Sequence, residues 1–126
     1  MWLAPLATGC GSSPPDQVVS PDAEEVVVYT ALDGEFSAPI FEDFQRQTGI
    51  RVLAKYDVES TKTVGLVNAI IHEQNRPRCD LFWNNEILHT LRLEELGLLD
   101  AYPTPVAESF PTNYRSPEGY WYGLAA

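Results

Sequence analysis

The segment EVVVYT at residues 25–30 decides the fold of this chain. Its three consecutive valines predict a strand that is buried on both faces, as in a parallel sheet covered by helices. Two more strands are expected downstream, IRVLAKY at residues 50–56 and CDLFW at residues 79–83. The three segments together therefore predict a parallel sheet.

Apolar residues at helical spacing separate the first two strands. They are Phe36, Ile40, Phe41 and Phe44. Ser37 is the expected cap of this first helix, Pro39 suits its first turn, and Gly49 suits its C-terminal stop.

Two further helices follow the second and third strands. Ser60 or Thr61 is the expected cap of the second helix. Its apolar face contains Val64, Val67, Ile70 and Ile71. The third helix is expected over residues 87–96, with Gly97 as its stop.

The resulting order of elements is βαβαβα. Short connections between alternating strands and helices predict an α/β fold with a mostly parallel open sheet, helices on its faces and right-handed crossovers. The segment YWYGLAA at residues 120–126 predicts the start of another strand. We therefore expect this chain to be the N-terminal part of a longer protein.

Composition narrows the class of partner. The chain has 126 residues, 44% of them hydrophobic, which suits one modest soluble core. Its formal charge is −10, and its eight Lys and Arg residues are scattered rather than clustered. Nucleic acids and anionic membrane surfaces are bound by clustered basic residues, so neither is an expected partner.

The N-terminus predicts a lipid anchor. ATGC at residues 7–10 resembles a bacterial lipobox, in which cleavage before Cys10 is followed by acylation of that residue. Residues 1–10 are thus interpreted as a truncated lipoprotein signal. Residues 11–25 are rich in proline, serine and acidic residues and are interpreted as a flexible tether. The alternative is an ordinary N-terminus with an incidental cysteine.

The second cysteine, Cys79, opens the third strand and is expected to be a small buried hydrophobe. A disulfide between Cys10 and Cys79 is less favoured, since it would pin a segment that is interpreted as flexible. The two distant histidines, His72 and His89, make no zinc pattern with these cysteines and are interpreted as ordinary helix residues.

The candidate site lies at the carboxyl edge of the sheet, where ligands of open parallel sheets bind. Three polar loops are expected to meet there, each leading into a helix N-terminus. The candidate residues are Thr30, Ala31, Leu32 and Asp33 after the first strand, Glu59, Ser60, Thr61 and Lys62 after the second, and Asn84, Asn85 and Glu86 after the third.

The second of these loops carries the most distinctive chemistry. Its hydroxyl groups and the charge of Lys62 stand before a helix N-terminus, which favours an anionic ligand group. The alternative is that Ser60 or Thr61 only caps the helix and that Lys62 is solvated.

The other two loops are open to similar alternatives. Asp33 is either a helix cap or a ligand of a hard cation or an amine. Asn84 and Asn85 either face a ligand or do no more than cap the third helix.

Sequence signatures of catalysis are absent. The chain has no phosphate-binding P-loop, no GxGxxG after its first strand, no GxSxG and no HExxH. The alternative function is a fragment of an α/β enzyme that acts on a small anionic substrate, with Glu59 and Glu86 as paired carboxylates. No cofactor and no metal ligand are assigned from the sequence.

Five segments together resemble a known family. In order and spacing they are similar to the N-terminal lobe of extracellular solute-binding proteins of ABC importers, most of all to the ferric-iron-binding branch. The segments are VVVYTALDGEFSAPIFEDFQRQTGIRV, ESTKTVGLVNAI, CDLFWNNE, LGLLDAY and EGYWYGLAA.

The resemblance implies the first lobe of a type II periplasmic-binding-protein-like fold, in which two lobes close on a ligand. Residues 26–118 would form the α/β lobe, and residues 119–126 would start the strand that crosses to a second lobe. The protein would capture a small ligand, ferric iron or a small anion, and deliver it to an ABC permease. Fe³⁺ would then be transported cargo rather than a cofactor.

The same resemblance implies a periplasmic or extracytoplasmic lipoprotein, which meets the membrane only through its lipid anchor. Two features depart from the iron-binding pattern. Leu32 and Asp33 stand after the first strand, where that branch often has a histidine or a tyrosine. Lys62 after the second strand would repel a cation and suits an anionic group.

Overall fold

A computed structural model of the chain describes residues 24–57 and 63–124. These residues form three strands, three α-helices and two short 3₁₀ helices. In chain order the elements are β1 (Glu25–Thr30), α1 (Gly34–Thr48), β2 (Arg51–Tyr56), α2 (Val64–His72), β3 (Leu81–Trp83), α3 (Ile87–Glu95), η1 (Ala107–Ser109) and η2 (Thr112–Tyr114). The predicted order βαβαβα is confirmed.

The three strands form one parallel sheet with the order β2-β1-β3. In its register, Val28 of β1 lies between Ala54 of β2 and Leu81 of β3. The last three residues of β1, Val28, Tyr29 and Thr30, are successively buried, with at most 3% of their surface exposed. Because successive residues point to opposite faces, this confirms that the strand is buried on both sides.

Helix α1 begins earlier than the sequence predicts. Its N-cap residue is Asp33, and Ser37 lies inside the helix, where its buried hydroxyl donates to the carbonyl oxygens of Leu32 and Asp33. The expected cap at Ser37 is therefore wrong. Pro39 also lies beyond the first turn, where it has no amide hydrogen to donate to the carbonyl of Glu35.

The C-terminal stops of α1 and α3 agree with prediction. Gly49 has a φ of +76° and donates its amide to the carbonyl of Gln45 at 2.8 Å. Helix α3 ends at Glu95, one residue before the expected end, and Gly97 follows with a φ of +69°. The amides of Gly97 and Leu98 donate to the last turn of α3, which is the Schellman arrangement of a helix end.

The four predicted apolar residues of α1 have helical spacing, but they are not all buried. Phe41 is buried, and its ring packs edge-to-face on Trp83 of β3 with 5.9 Å between centroids. Phe36, Ile40 and Phe44 are 58%, 52% and 40% exposed. Within the described chain, only one of the four predicted apolar residues therefore reaches the core.

Helix α2 begins after the residues that were expected to cap it. Its N-cap residue is Thr63, whereas Ser60 and Thr61 lie outside the described residues. Thr63 is buried and has a φ of +61° with a ψ of −45°, a conformation that is strained for a β-branched side chain. From α2, Leu66 and Val67 enter the core, and α2 packs against α3.

The third strand is shorter than predicted, since Cys79 and Asp80 lie before its first residue, Leu81. Cys79 is a free thiol that is half-buried and donates to the carbonyl of Leu81 at 3.2 Å. Burial raises the pKa of Cys79 to about 11. Cys10, its predicted acylation and residues 11–23 of the tether predicted over residues 11–25 lie outside the described residues, whereas Glu25, the last residue of that tether, is the first residue of β1.

The last described segment folds back instead of forming the predicted strand. Up to residue 124, its pairing is one isolated antiparallel bridge between Arg115 and Tyr122. Gly119, with a φ of +83°, reverses the chain between these two residues. A Cβ atom there would lie 3.0 Å from the Tyr122 hydroxyl, so the turn accepts only glycine without a shift of its neighbours.

Gly49, which ends α1 in the left-handed conformation, provides a first test of the fold. Gly49→Ala is expected to lower the free energy of unfolding by about 1–2 kcal/mol, because a Cβ atom is disfavoured at positive φ. Gly34→Ala is the matched control, since its Cβ would meet the Tyr56 ring at an ordinary 3.7 Å. Urea denaturation measures both variants, and equal destabilisation would contradict the left-handed conformation of Gly49.

Tyr29 provides a second test, based on pH. Its hydroxyl donates to the Glu73 carboxylate at 2.8 Å, and Lys55 lies 4.4 Å from the centre of its ring. Burial, with a smaller contribution from Glu73, raises the pKa of Tyr29 to about 12. The folded state therefore favours the protonated phenol more strongly than the unfolded state does, where the pKa is 10.0.

The sign of the pH effect follows from this difference. The stabilisation is present below pH 10 and disappears as the pH rises to about 12. Between these values the wild type should lose on the order of 2–3 kcal/mol of unfolding free energy relative to Tyr29→Phe. Urea denaturation as a function of pH measures the difference, and parallel profiles for the two proteins would contradict the raised pKa.

Candidate functional site

The loops after β1 and β3 lie side by side at the carboxyl edge of the sheet. The amide of Ala31 donates to the carbonyl of Trp83 at 3.0 Å, which continues the β1–β3 pairing by one residue. The side-chain amide of Asn85 then donates to the Ala31 carbonyl at 3.4 Å. The first and third predicted loops are therefore in direct contact.

The loop after β2 starts at the same edge. Its first residue, Asp57, donates its amide to the carbonyl of Thr30 at 3.3 Å. The chain passes from the central strand β1 to β2 on one side and later to β3 on the other. The strand order thus reverses at this edge, which is where open parallel sheets bind ligands.

A cleft of about 490 Å³ opens at this edge. Its described lining consists of Thr30, Ala31, Leu32, Asp33, Gly34, Glu35, Tyr56 and Asp57. Three of these residues carry carboxylates and none of them is basic. The described wall of the cleft is therefore acidic, although it also contains the N-terminus of α1, whose dipole favours negative charge.

Asp33 faces this cleft with an exposed carboxylate. It occupies the N-cap position of α1, but its side chain makes no capping hydrogen bond. The helix start is held instead by its backbone, since the Asp33 carbonyl accepts the amides of Phe36 and Ser37. Capping therefore does not account for the Asp33 carboxylate.

The other predicted residues of the first loop contribute mainly backbone. Thr30 is fully buried, and its hydroxyl accepts the amide of Leu32 at 3.1 Å, which shapes the turn out of β1. The Ala31 carbonyl is engaged by Asn85, and Leu32 is half-buried. Of this group, Asp33 is the residue that presents a charged side chain to the cleft.

In the third loop, the three predicted residues have different surroundings. Asn84 donates to the Thr90 hydroxyl at 2.8 Å and accepts the amide of Glu86 at 2.9 Å, so both ends of its side chain turn the chain into α3. Asn85 and Glu86 are exposed, and Glu86 lies 3.3 Å from His89. The N-cap residue of α3 is Glu86, so neither asparagine occupies the cap position.

The second loop is described only at its two ends, Asp57 and Thr63. Glu59, Ser60, Thr61 and Lys62 lie outside the described residues, so their predicted role stays a prediction.

Four residues of the cleft wall go beyond the predicted set of site residues. They are Gly34, Glu35, Tyr56 and Asp57. Asp57 could have been found from its place directly after the second strand. Tyr56 shows no such signal, because it reads as the last residue of a strand.

The described residues do not form a complete metal site. No three His, Cys, Asp or Glu side chains among residues 24–57 and 63–124 come together so that they could hold a metal ion. His72 is exposed at the end of α2, and His89 faces Glu86 on α3. A metal ion in this cleft would need ligands from outside the described residues.

Known proteins share this arrangement of strands and helices. No sequence-defined protein family matches the chain. Ferric iron-binding protein A of Mannheimia haemolytica, in an open conformation, matches with a TM-score of 0.69 and 24% identity over 81% of this chain. A Trichodesmium protein (IdiA, FutA) in complex with iron and citrate matches with a TM-score of 0.68 and 22% identity over 79% of the chain.

A third solved structure contains an organic phosphate. The periplasmic binding protein AfuA of Actinobacillus pleuropneumoniae, with fructose 6-phosphate bound, matches with a TM-score of 0.65 and 18% identity over 75% of the chain. This chain corresponds to 31%, 30% and 28% of the three matched structures, so it spans less than a third of their length. The predicted fold is thereby confirmed, since the chain has the α/β fold of part of a periplasmic binding protein.

Over the described parts of the chain, no helix is long and apolar enough to cross a bilayer.

The two asparagines of the third loop should respond differently to mutation. Asn84→Ala removes two short hydrogen bonds and is expected to cost about 1–3 kcal/mol of unfolding free energy. Asn85→Ala removes one long, exposed hydrogen bond and is expected to cost less than about 0.5 kcal/mol. Urea midpoints measure both variants, and a cost for Asn85→Ala equal to that for Asn84→Ala would contradict the separation of roles.

Proposed function

We propose that this chain is the ligand-binding first lobe of a solute-binding protein that delivers a small ligand to an ABC permease. The observation that carries the proposal is the meeting of three strand ends at one edge of the sheet, where the cleft opens. Contacts of Ala31 with Trp83, Asn85 with Ala31 and Asp57 with Thr30 hold the three loops together there. Binding is non-covalent and leaves the ligand chemically unchanged.

The ligand we favour combines a cation with a small anion, such as ferric iron with citrate or carbonate. Asp33, Glu35 and Asp57 make the described cleft wall acidic, which supports a cationic part. Lys62 and the hydroxyls before α2 suit the anionic part. Iron with citrate in one matched structure and a sugar phosphate in another support this combination of charges.

The proposal includes a second lobe, because the matched structures are more than three times as long as this chain. Residues 26–118 form the α/β lobe, and residues 119–126 begin the crossing to the second lobe. Closure of the two lobes over the ligand would then signal the loaded state to the permease. Fe³⁺ in this scheme is cargo and not a cofactor.

The protein is proposed to work outside the cytoplasm, as a lipoprotein held at the membrane through Cys10. The lipobox-like segment at residues 7–10 and the proline- and serine-rich sequence after it support this anchor. The periplasmic location of one matched binding protein, AfuA, supports the compartment. Labelling with a radioactive fatty acid should mark the wild type and not Cys10→Ser.

Thermal unfolding of the product of the whole gene tests the function. Ferric citrate at about 100 times its dissociation constant should raise the melting temperature by roughly 5–10 °C. Citrate alone, fructose 6-phosphate and a phosphonate are the comparison ligands. A shift with an anion alone, and none with ferric citrate, would contradict the cationic part of the ligand.

Matched variants test whether the rise in melting temperature depends on residues of the cleft. Asp33→Asn should weaken the ferric citrate shift, whereas Glu42→Gln, which removes a charge from the exposed side of the same helix, should not. Lys62→Ala should reduce the rise in melting temperature that each ligand with an anionic group causes. If Lys62→Ala leaves the affinity of all ligands unchanged, the role assigned to Lys62 is wrong.

A further inference from the structure

The last described segment is held against α3 by one carboxylate. The indole nitrogen of Trp121 donates to Oε2 of Glu94 at 3.0 Å, and the hydroxyl of Ser116 donates to Oε1 of the same residue at 3.3 Å. Ser116 is only 3% exposed. Each oxygen of Glu94 thus binds one end of the turn over residues 116–121, and charged acceptors make the stronger class of hydrogen bond.

The turn is also closed on itself. The amide of Ser116 donates to the carbonyl of Trp121 at 3.0 Å, and the amide of Gly119 donates to the Ser116 carbonyl at 3.1 Å. The amide of Gly123 donates to the carbonyl of Tyr114 at 2.6 Å. These backbone hydrogen bonds close residues 114–123 into one turn, and Glu94 binds this turn at Ser116 and Trp121.

A second contact secures the same segment from the other side. The Tyr122 hydroxyl donates to the Tyr102 carbonyl at 2.9 Å and accepts the amide of Thr104 at 3.3 Å. The ring of Tyr122 lies 5.2 Å from that of Phe110. The chain up to Gly123 is thus fixed on two sides.

Helix α3 connects this segment with the candidate site. The loop of Asn84, Asn85 and Glu86 at the carboxyl edge of the sheet leads directly into its first turn, and Glu94 belongs to its last turn. A nine-residue helix is a stiff connection of about 13 Å. The carboxyl edge of the sheet and residues 114–123, which we call the exit segment, are consequently attached to the two ends of one helix.

We propose that Glu94 is the positioning residue that fixes the exit segment to the first lobe, so that the lobes pivot beyond Gly123 and not within residues 114–123. The position of the pivot rests on the proposed function, since a pivot requires a second lobe. The anchoring by Glu94 involves only described residues and does not depend on a second lobe. The anchor and the pivot are therefore tested separately.

Exchange of the Trp121 indole proton tests the anchor. The chain has three tryptophans, and Trp121→Phe assigns the indole signal in a nitrogen–proton NMR spectrum. Glu94→Ala should speed the exchange of this proton about tenfold or more, because its charged acceptor is lost. Glu95→Ala removes the neighbouring exposed carboxylate and should leave the exchange unchanged.

The conservative variant separates anchoring from general destabilisation. Glu94→Gln keeps an acceptor oxygen for the indole, so its exchange rate should lie between those of the wild type and Glu94→Ala. The same rate in the wild type and in Glu94→Ala would overturn the anchor.

Hydrogen exchange of the whole gene product, with and without ferric citrate, tests the pivot. The amides of Ser116, Gly119 and Gly123 should keep the same protection in both states, while small-angle scattering reports compaction of the wild type. In Glu94→Ala, ferric citrate should alter the protection of these amides. Altered protection in the wild type would place the pivot inside the segment and overturn the proposal.

Failure of the proposed function has a different signature. If ferric citrate and the comparison ligands all leave the scattering of the wild type unchanged, the two-lobed binding protein is contradicted, and the pivot with it. The indole exchange of Glu94→Ala still decides the anchor in that case.

Discussion

The described structure depends on the enclosure of β1. This strand is hydrogen-bonded to a parallel neighbour along each edge and is buried on both faces over its last three residues. A strand in this position has to be apolar on both sides, which is why its sequence does not alternate. Because β2 and β3 lie on either side of it, the loops that follow all three strands open at one edge.

The chemistry of the cleft follows from that geometry. Parallel strands place their carboxyl ends together, so residues from loops more than 50 positions apart in sequence come into contact, such as Asn85 and Ala31. Side chains at this edge divide into two groups. Thr30 and Asn84 use their polar atoms to shape the loops, whereas Asp33 leaves its carboxylate exposed to the cleft.

On α1, the apolar residues that the sequence pattern groups together are not all buried by tertiary packing. Phe41 packs on Trp83, while Phe36, Ile40 and Phe44 remain largely exposed on the described lobe. Spacing in the sequence identifies residues that share a helix face. It does not identify which of them meet another element, since that depends on where the helix crosses the sheet.

The amino-acid sequence by itself determined the order of elements, the parallel sheet and the glycine stops of α1 and α3. These features depend on local physics: consecutive apolar residues, helical spacing, and a positive φ that glycine accepts. The positions of three polar loops along the chain also identified the edge that carries the cleft.

Only the tertiary structure decided which polar groups are already engaged. Ser37, the expected cap, donates to the carbonyls of Leu32 and Asp33 just before α1, and Glu94 in the last turn of α3 holds Trp121 27 positions further along the chain. Tyr56 enters the cleft wall because β2 pairs with β1, which no local pattern states. Partners that are distant in sequence are selected by the packing of whole elements, and this is the physical reason that the sequence alone could not reveal them.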